Sequence, residues 1–186
     1  RNDSYEFTYN GNSLTVKGSD RTYTCKLNSD GYVTEVTEND FDKDETYYYK
    51  MEYKNGYLQR VEQRYSYNES RVRGSECTWR DGNLVEYTAK DYNEDDTEIE
   101  TAKISYSKTA TPINIDLLYF SGYVPVDVYP LDLLGFCGRQ SAKLPDKVDV
   151  VWGSESDSDD LGIYTLNDDG TVARIDGGSW SYELIY

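Results

Sequence analysis

The stretch Met51-Glu52-Tyr53-Lys54-Asn55-Gly56-Tyr57-Leu58-Gln59-Arg60-Val61 sets the fold. Before Asn55, apolar and polar residues alternate, which is the period of a strand with one buried face. Asn55-Gly56 supplies the positive φ angles that a tight hairpin needs. After the turn the apolar positions are Leu58 and Val61, three apart rather than two. A β-bulge just past the turn would reconcile that spacing with one buried face.

The same pattern recurs outward from this stretch. Asn10-Gly11, Asp30-Gly31, Asp81-Gly82 and Asp169-Gly170 repeat the turn cue. Phe7-Thr8-Tyr9, Cys25-Lys26-Leu27, Cys77-Thr78-Trp79 and Tyr164-Thr165-Leu166 precede these turns in the same apolar-polar-apolar order. Val33/Val36, Leu84/Tyr87 and Val172/Ile175 repeat the spacing of three behind them. Each period holds two long strands and a further polar loop, at Asn39–Asp44, Tyr67–Ser70 and Asn93–Asp96. Residues 5–108 therefore read as an antiparallel meander of long hairpins, and their Tyr, Thr and Val content suits strands.

Residues 109–147 break the pattern and carry all four prolines (112, 125, 130 and 145). Thr111–Leu118 is expected to form a short helix, and Pro130–Phe136 a second one ended by Gly135 or Gly138. Strands are expected to resume at Val148–Trp152, Ile163–Leu166, Val172–Ile175 and Ser179–Tyr186. The expectation is one all-β domain over 1–186. It would be a soluble, curled or barrel-like sheet of roughly twelve strands with a helical insertion at about 111–138.

Composition narrows function by exclusion. The 186 residues include 20 Tyr and no His, and the net charge is -16. Without His there is no Ser-His-Asp or Cys-His nucleophile system and no H-E-x-x-H zinc site. The charge argues against nucleic acid, because phosphate contacts need a positive surface. It also disfavours anionic membrane surfaces. No G-x-x-x-x-G-K-[ST], G-x-G-x-x-G or G-x-S-x-G motif occurs, and no cofactor is expected.

Pro112-Ile113-Asn114-Ile115-Asp116-Leu117, followed by Gly138-Arg139-Gln140-Ser141-Ala142-Lys143-Leu144-Pro145, resembles a signature of uncharacterised secreted lipoproteins of Gram-negative gut anaerobes. The Tyr-x-Asn/Asp-Gly-x-Leu hairpins extend the likeness over nearly the whole chain. Taken alone, they also resemble the tyrosine-aspartate repeats of secreted shell-forming proteins. That lipoprotein family is a domain-of-unknown-function group whose fold is described as porin-like. The resemblance implies export, to the periplasm or to the outer-membrane surface, with a lipid anchor on an N-terminal Cys. The chain opens on Arg1-Asn2-Asp3-Ser4 without signal or anchor Cys, which reads as a mature or trimmed start. The family brings no activity and no catalytic residues.

Several residues invite a sharper reading. Asp40, Asp42 and Asp44 have the spacing of early calcium-loop ligands, yet Glu45 stands where Gly should follow and Met51 where a bidentate Glu should stand. The plainer reading is a solvated hairpin tip. Glu155/Asp157/Asp159 with Asp160 is a second acidic cluster, read the same way. Tyr53, Trp79 and Tyr87 could form a glycan-binding surface, or they could be the core of a tyrosine-rich sheet. Arg71 and Arg73 share parity with Trp79. The favoured reading is a bulge at Gly74-Ser75 or snorkelling at the sheet rim; the sharper one is a small anion-binding spot on that face. Cys25 and Cys77 take the strand position of Met51 and should face inward as thiols without a disulfide.

A true membrane-spanning barrel is not expected, because Glu52/Lys54, Arg60/Glu62/Arg64 and Lys103/Ser105/Ser107 give the strands a charged face. The functional expectation is a monomeric, non-catalytic cell-envelope module that is structural or binds a glycan or a protein. The alternative is a carboxylate-based hydrolase such as a glycosidase, which needs two placed acids in a cleft.

Overall fold

The computed structural model describes residues 4–68, 70–93, 96–110, 118, 122–161, 163–169, 171–176 and 181–183. Eleven strands follow one another in the first sheet. They are β1 (Glu6–Asn10), β2 (Ser13–Lys17), β3 (Arg21–Leu27), β4 (Val33–Asp40), β5 (Glu45–Lys54), β6 (Tyr57–Tyr65), β7 (Val72–Arg80), β8 (Asn83–Asn93), β9 (Asp96–Ala110), β10 (Lys143–Trp152) and β11 (Glu155–Asp160). Each pairs antiparallel with its neighbour in sequence, and β1 and β11 are the two edges, so the barrel-like sheet stays open. The last strands do not extend this meander. β12 (Ile163–Leu166), β13 (Val172–Asp176) and β14 (Ser181–Glu183) form a separate three-stranded sheet. It is tied to the first by the Tyr164 hydroxyl, which donates to the Pro145 carbonyl at 2.6 Å. Trp180, Leu184 and Tyr186 of the expected final strand lie outside the described residues.

The turns follow the dipeptides. Lys54 pairs with Tyr57 across Asn55 (φ 55°) and Gly56 (φ 82°), and Arg80 pairs with Asn83 across Asp81 (φ 50°) and Gly82 (φ 75°). Two consecutive positive φ angles make the turn whose twist matches paired strands. The bulges are where the apolar spacing placed them. Glu52 faces Arg60 but Tyr53 faces Leu58, which leaves Gln59 as the extra residue. Thr34, Val85 and Ala173 are the extra residues in the three matching hairpins. Both apolar positions then reach the same side: Val33, Val36, Leu58, Val61, Leu84, Tyr87, Val172 and Ile175 are all buried.

One face of the large sheet is covered and the other looks outward. On β5, Tyr47, Tyr49 and Met51 are buried while Tyr48, Lys50 and Glu52 are exposed. The outward face carries charged cross-strand neighbours such as Lys50 with Glu62 and Glu52 with Arg60. No helix among the described residues is long and apolar enough to cross a membrane.

The segment 122–142 covers the inner face. Val126, Val128, Leu131 and Cys137 enter the core beside Leu14, Val16, Tyr23, Val36 and Met51. Burying an aliphatic side chain of this kind is worth about 1.5–3 kcal/mol. Phe136 stacks on Phe7 at 6.0 Å, and Tyr129 accepts the Tyr23 hydroxyl at its carbonyl at 2.5 Å. A second core, with Tyr87, Ala102, Ile104, Val148 and Val150, lies under β8–β10 and includes Leu118. The helix expected at Pro130–Phe136 is instead a run of turns, with Leu134 N–H on the Pro130 carbonyl and Phe136 N–H on that of Leu131. The glycine and proline content of this stretch favours such punctuation over a continuing helix. Of the helix expected at Thr111–Leu118, all but Leu118 lies outside the described residues.

The end of this segment is a strap across the hairpin tips. The Phe136 carbonyl accepts from Val33 N–H, Arg139 N–H donates to the Gly56 carbonyl, and Ala142 N–H donates to the Gly82 carbonyl, at 2.8–2.9 Å. Three extended residues span about 10 Å, close to the width of two paired strands. One strap residue in three therefore meets one hairpin after another.

All three cysteines are thiols, with Cys25 and Cys137 buried and Cys77 half-buried on the inner face. Burial pushes the Cys25 thiol up to about 12.

Candidate functional site

Away from the hairpin tips, the inner face of β7–β10 changes from apolar to polar row by row. Cys77, Tyr87, Ala102 and Val150 form one cross-strand row, which is core. The next row is Ser75, Ala89, Glu100 and Trp152, and beyond it come Arg73, Asp91 and Glu98. Alternation along each strand keeps all of these on one side. Ala89 is the small member between larger neighbours, and the space above it opens a groove of about 610 Å³. Tyr123, from the covering segment, forms another part of its wall, with Thr97, Ile99 and Gly153 at the margin.

The walls are held by their own contacts. The Trp152 indole N–H donates to Glu155 Oε2 at 3.0 Å across the turn at Gly153, where φ is 59°. The Tyr123 hydroxyl donates to Asp157 Oδ2 at 2.7 Å, which pushes the phenol up to about 12 and holds the Asp157 carboxyl below its usual range. The buried Tyr87 hydroxyl donates to Glu100 Oε1 at 2.8 Å. Arg71 forks onto Asp91 through Nε at 3.0 Å and Nη2 at 2.6 Å, with its guanidinium 4.8 Å from the Tyr65 ring centroid. Arg73 forms no salt bridge among the described residues. The groove thus offers two aromatic rings, one uncommitted guanidinium and carboxylate oxygens, a mixture that suits a ligand rich in hydroxyl groups.

The structure separates the residues singled out in the sequence. Tyr53 and Trp79 belong to the hairpin-tip end. The Tyr53 hydroxyl donates to the Val33 carbonyl at 2.5 Å, and the Trp79 indole packs 4.7 Å from the Tyr57 ring centroid and donates to the Leu58 carbonyl at 2.6 Å. Tyr87 is core, with only its hydroxyl directed toward the groove. Arg71 and Arg73 do share the Trp79 face. The β6–β7 register runs unbroken through Gly74 and Ser75, so the bulge expected there is absent. Arg71 stays inward because Asp91 neutralises it.

Asp40, Asp42 and Asp44 do not converge. Asp40 is buried and its Oδ1 accepts the Asp42 and Lys43 N–H groups at 3.1 Å, closing the turn, while Asp42 and Asp44 are exposed. Among the described residues no three His, Cys, Asp or Glu side chains group closely enough to hold a metal ion.

Sequence reading missed Tyr123, Trp152, Asp91, Glu98 and Glu100. A register count from the bulged Asp81-Gly82 turn does place Arg73 opposite Asp91, and that count is the signal that was available.

The sequence matches no protein-family profile and no curated protein. The fold is that of known structures. A porin-like protein from Bacteroides vulgatus superposes with a TM-score of 0.74 at 14% identity, covering 92% of this chain and 78% of that one. A porin-like protein from Bacteroides uniformis superposes with a TM-score of 0.66 at 16% identity, covering 97% of this chain and 74% of that one. The porin-like architecture implied by the lipoprotein resemblance is therefore the architecture of this chain.

Proposed function

We propose that the protein is a non-catalytic binding module of an exported cell-envelope protein, and that its ligand is a saccharide held in the groove beside Ala89. The observation that carries this reading is the pair of aromatic walls, Trp152 and Tyr123, set around donors and acceptors on the strand floor. Aromatic faces stack on the apolar faces of sugar rings, while a guanidinium and carboxylates can each bind neighbouring hydroxyls. The hydrolase alternative has less support. Glycoside hydrolysis wants two acids flanking the scissile bond from opposite sides. Here Glu98 and Glu100 leave one strand on one side, and Asp91 is committed to Arg71.

Export, with a lipid anchor at the periplasmic or outer face of the outer membrane, is what the lipoprotein resemblance implies and is part of this proposal. Incorporation of labelled fatty acid into the protein made from its complete gene tests that part.

The binding reading is tested by calorimetric titration of neutral, amino and acidic oligosaccharides, with Trp152→Ala in parallel. Micromolar to millimolar binding that Trp152→Ala abolishes without lowering the melting temperature supports it. The absence of binding by every saccharide overturns it.

A further inference from the structure

Taking the saccharide reading as its premise, the geometry points to a narrower ligand class: a saccharide bearing a protonated amine, with acidic sugars rejected. Arg71, from outside the lining, forks onto Asp91 and offsets the charge of that member of the groove's outer row. In the rest of the lining the guanidinium of Arg73 stands against two carboxylates, Glu98 and Glu100, so the lining carries an excess of negative charge. Two more carboxylates stand just beyond the walls, Glu155 under the Trp152 indole N–H and Asp157 under the Tyr123 hydroxyl. The Tyr123 hydrogen bond favours the ionised form of Asp157.

Walls of low polarity focus such a field into the space between them. An ammonium group entering the groove gains an ion pair with Glu98 or Glu100, and the faces of Trp152 and Tyr123 also attract a cation. A uronate would instead meet two carboxylates, with only Arg73 to receive it. A neutral sugar would be indifferent to this imbalance. The imbalance therefore sets the class of sugar, while the aromatic walls set that it is a sugar.

The test is a titration of the whole chain at about pH 6, where amine and carboxylates are both charged. The ligands are a glucosamine tetramer, its N-acetylated counterpart, a galacturonate tetramer and spermine. The glucosamine tetramer is expected to bind about 10-fold more tightly than the acetylated one at about 20 mM salt, and the ratio should shrink several-fold at about 200 mM. Glu98→Gln, an exposed position, should narrow the ratio without a change in folding. Equal affinity for the amino and acetylated tetramers overturns the inference and leaves the saccharide reading standing. So does tighter binding of galacturonate, which would make Arg73 the leading group. Competition by spermine as strong as by the amino tetramer also overturns it, because the ligand class would then be polycations. If none of the three tetramers binds, the saccharide reading fails along with the inference.

Discussion

The indole N–H of Trp79 donates to the carbonyl of Leu58 at 2.6 Å, and the same relationship recurs at the neighbouring hairpins on either side. Tyr53 does this for the Val33 carbonyl at 2.5 Å and Tyr106 for the Leu84 carbonyl at 2.8 Å. In every case the acceptor is the first buried apolar residue after a turn, just before the bulge. The ladder to the following strand stops short of it: β6–β7 pairing ends at Arg60, β4–β5 pairing at Glu35 and β8–β9 pairing at Glu86. The Leu58 carbonyl also accepts from Gln59 Nε2 at 3.3 Å, but without the aromatic tip the Val33 and Leu84 carbonyls would lack a strand partner, and an unpaired buried polar group is costly.

Tyr53→Phe and Tyr106→Phe should therefore each lower stability by about 1–2 kcal/mol, although the rings still pack. Tyr106→Phe should be the larger, because its hydroxyl also meets Ser141 Oγ at 2.8 Å on the strap. Urea denaturation measures both. A loss below a few tenths of a kcal/mol for either would show that water replaces the hydroxyl.

The strap makes glycine obligatory at one point. Gly138 has φ of 107°, and a Cβ there would stand 3.0 Å from both the Gly56 carbonyl oxygen and Tyr53 Cε1. Gly138→Ala should cost about 2–4 kcal/mol through strain and displacement of the strap. Gly11→Ala, at φ of 60° with open space around it, should cost only about 1 kcal/mol. Equal costs would mean that the contact beneath Gly138 yields freely.

How far the sequence could be read follows from which interactions are local. Val33/Val36, Leu58/Val61 and Leu84/Tyr87 encode strand, turn and bulge within a dozen residues, and the structure places each bulge one residue past the first apolar position. The groove is not local in that sense. Trp152 and Glu100 become neighbours only through the register of β9 with β10, which contains its own shifts near Pro145. Tyr123 arrives on a segment whose path depends on tertiary packing rather than periodicity. Tyr53, Trp79 and Tyr87 could be read as core or as ligand-binding aromatics, because composition cannot tell a ring whose polar tip caps a carbonyl or carboxylate from one that faces a groove.

Glu38 should shape the pH dependence of stability. It is buried on β4, with Oε1 accepting from Arg21 at 3.0 Å and Oε2 from the Tyr49 hydroxyl at 3.0 Å. Burial pushes its carboxyl up; Tyr49 and Arg21 pull it back, while Asp127 and Asp40 push it further up. A carboxyl raised on folding binds its proton more tightly in the folded chain. Its contribution is therefore greatest at low pH and falls as pH rises above the unfolded value of 4.5. Glu38→Gln lacks this decline. The wild-type melting temperature should fall relative to that of the variant as pH rises above 4.5. A difference that stays constant with pH would show that Arg21 and Tyr49 offset the burial completely.

Thiol reactivity should report the inner face. Under non-reducing denaturing conditions all three cysteines should react with a chromogenic disulfide reagent. In the native protein Cys25, buried and with its thiol pushed up to about 12, should be protected by orders of magnitude. Fewer than three reactive thiols after denaturation would reveal a disulfide and rule out this arrangement of the strands.

Asp91→Asn separates the stability of the groove from its selectivity. The Arg71–Asp91 pair is bidentate but partly exposed, so its loss should cost only about 1 kcal/mol, or a few degrees of melting temperature. Arg71 should stay in place, because its guanidinium still lies over the Tyr65 ring. The lining would then keep Arg73 against Glu98 and Glu100, with the charge of Arg71 beside it no longer offset by a carboxylate. The preference for an amino saccharide over a neutral one should fall toward parity, and binding of the galacturonate tetramer should improve about 10-fold at low salt. Calorimetric titration of the variant beside the wild-type protein reads both ratios. A melting temperature that falls while both ratios hold would assign Asp91 to the scaffold alone and leave the selectivity to Glu98 and Glu100.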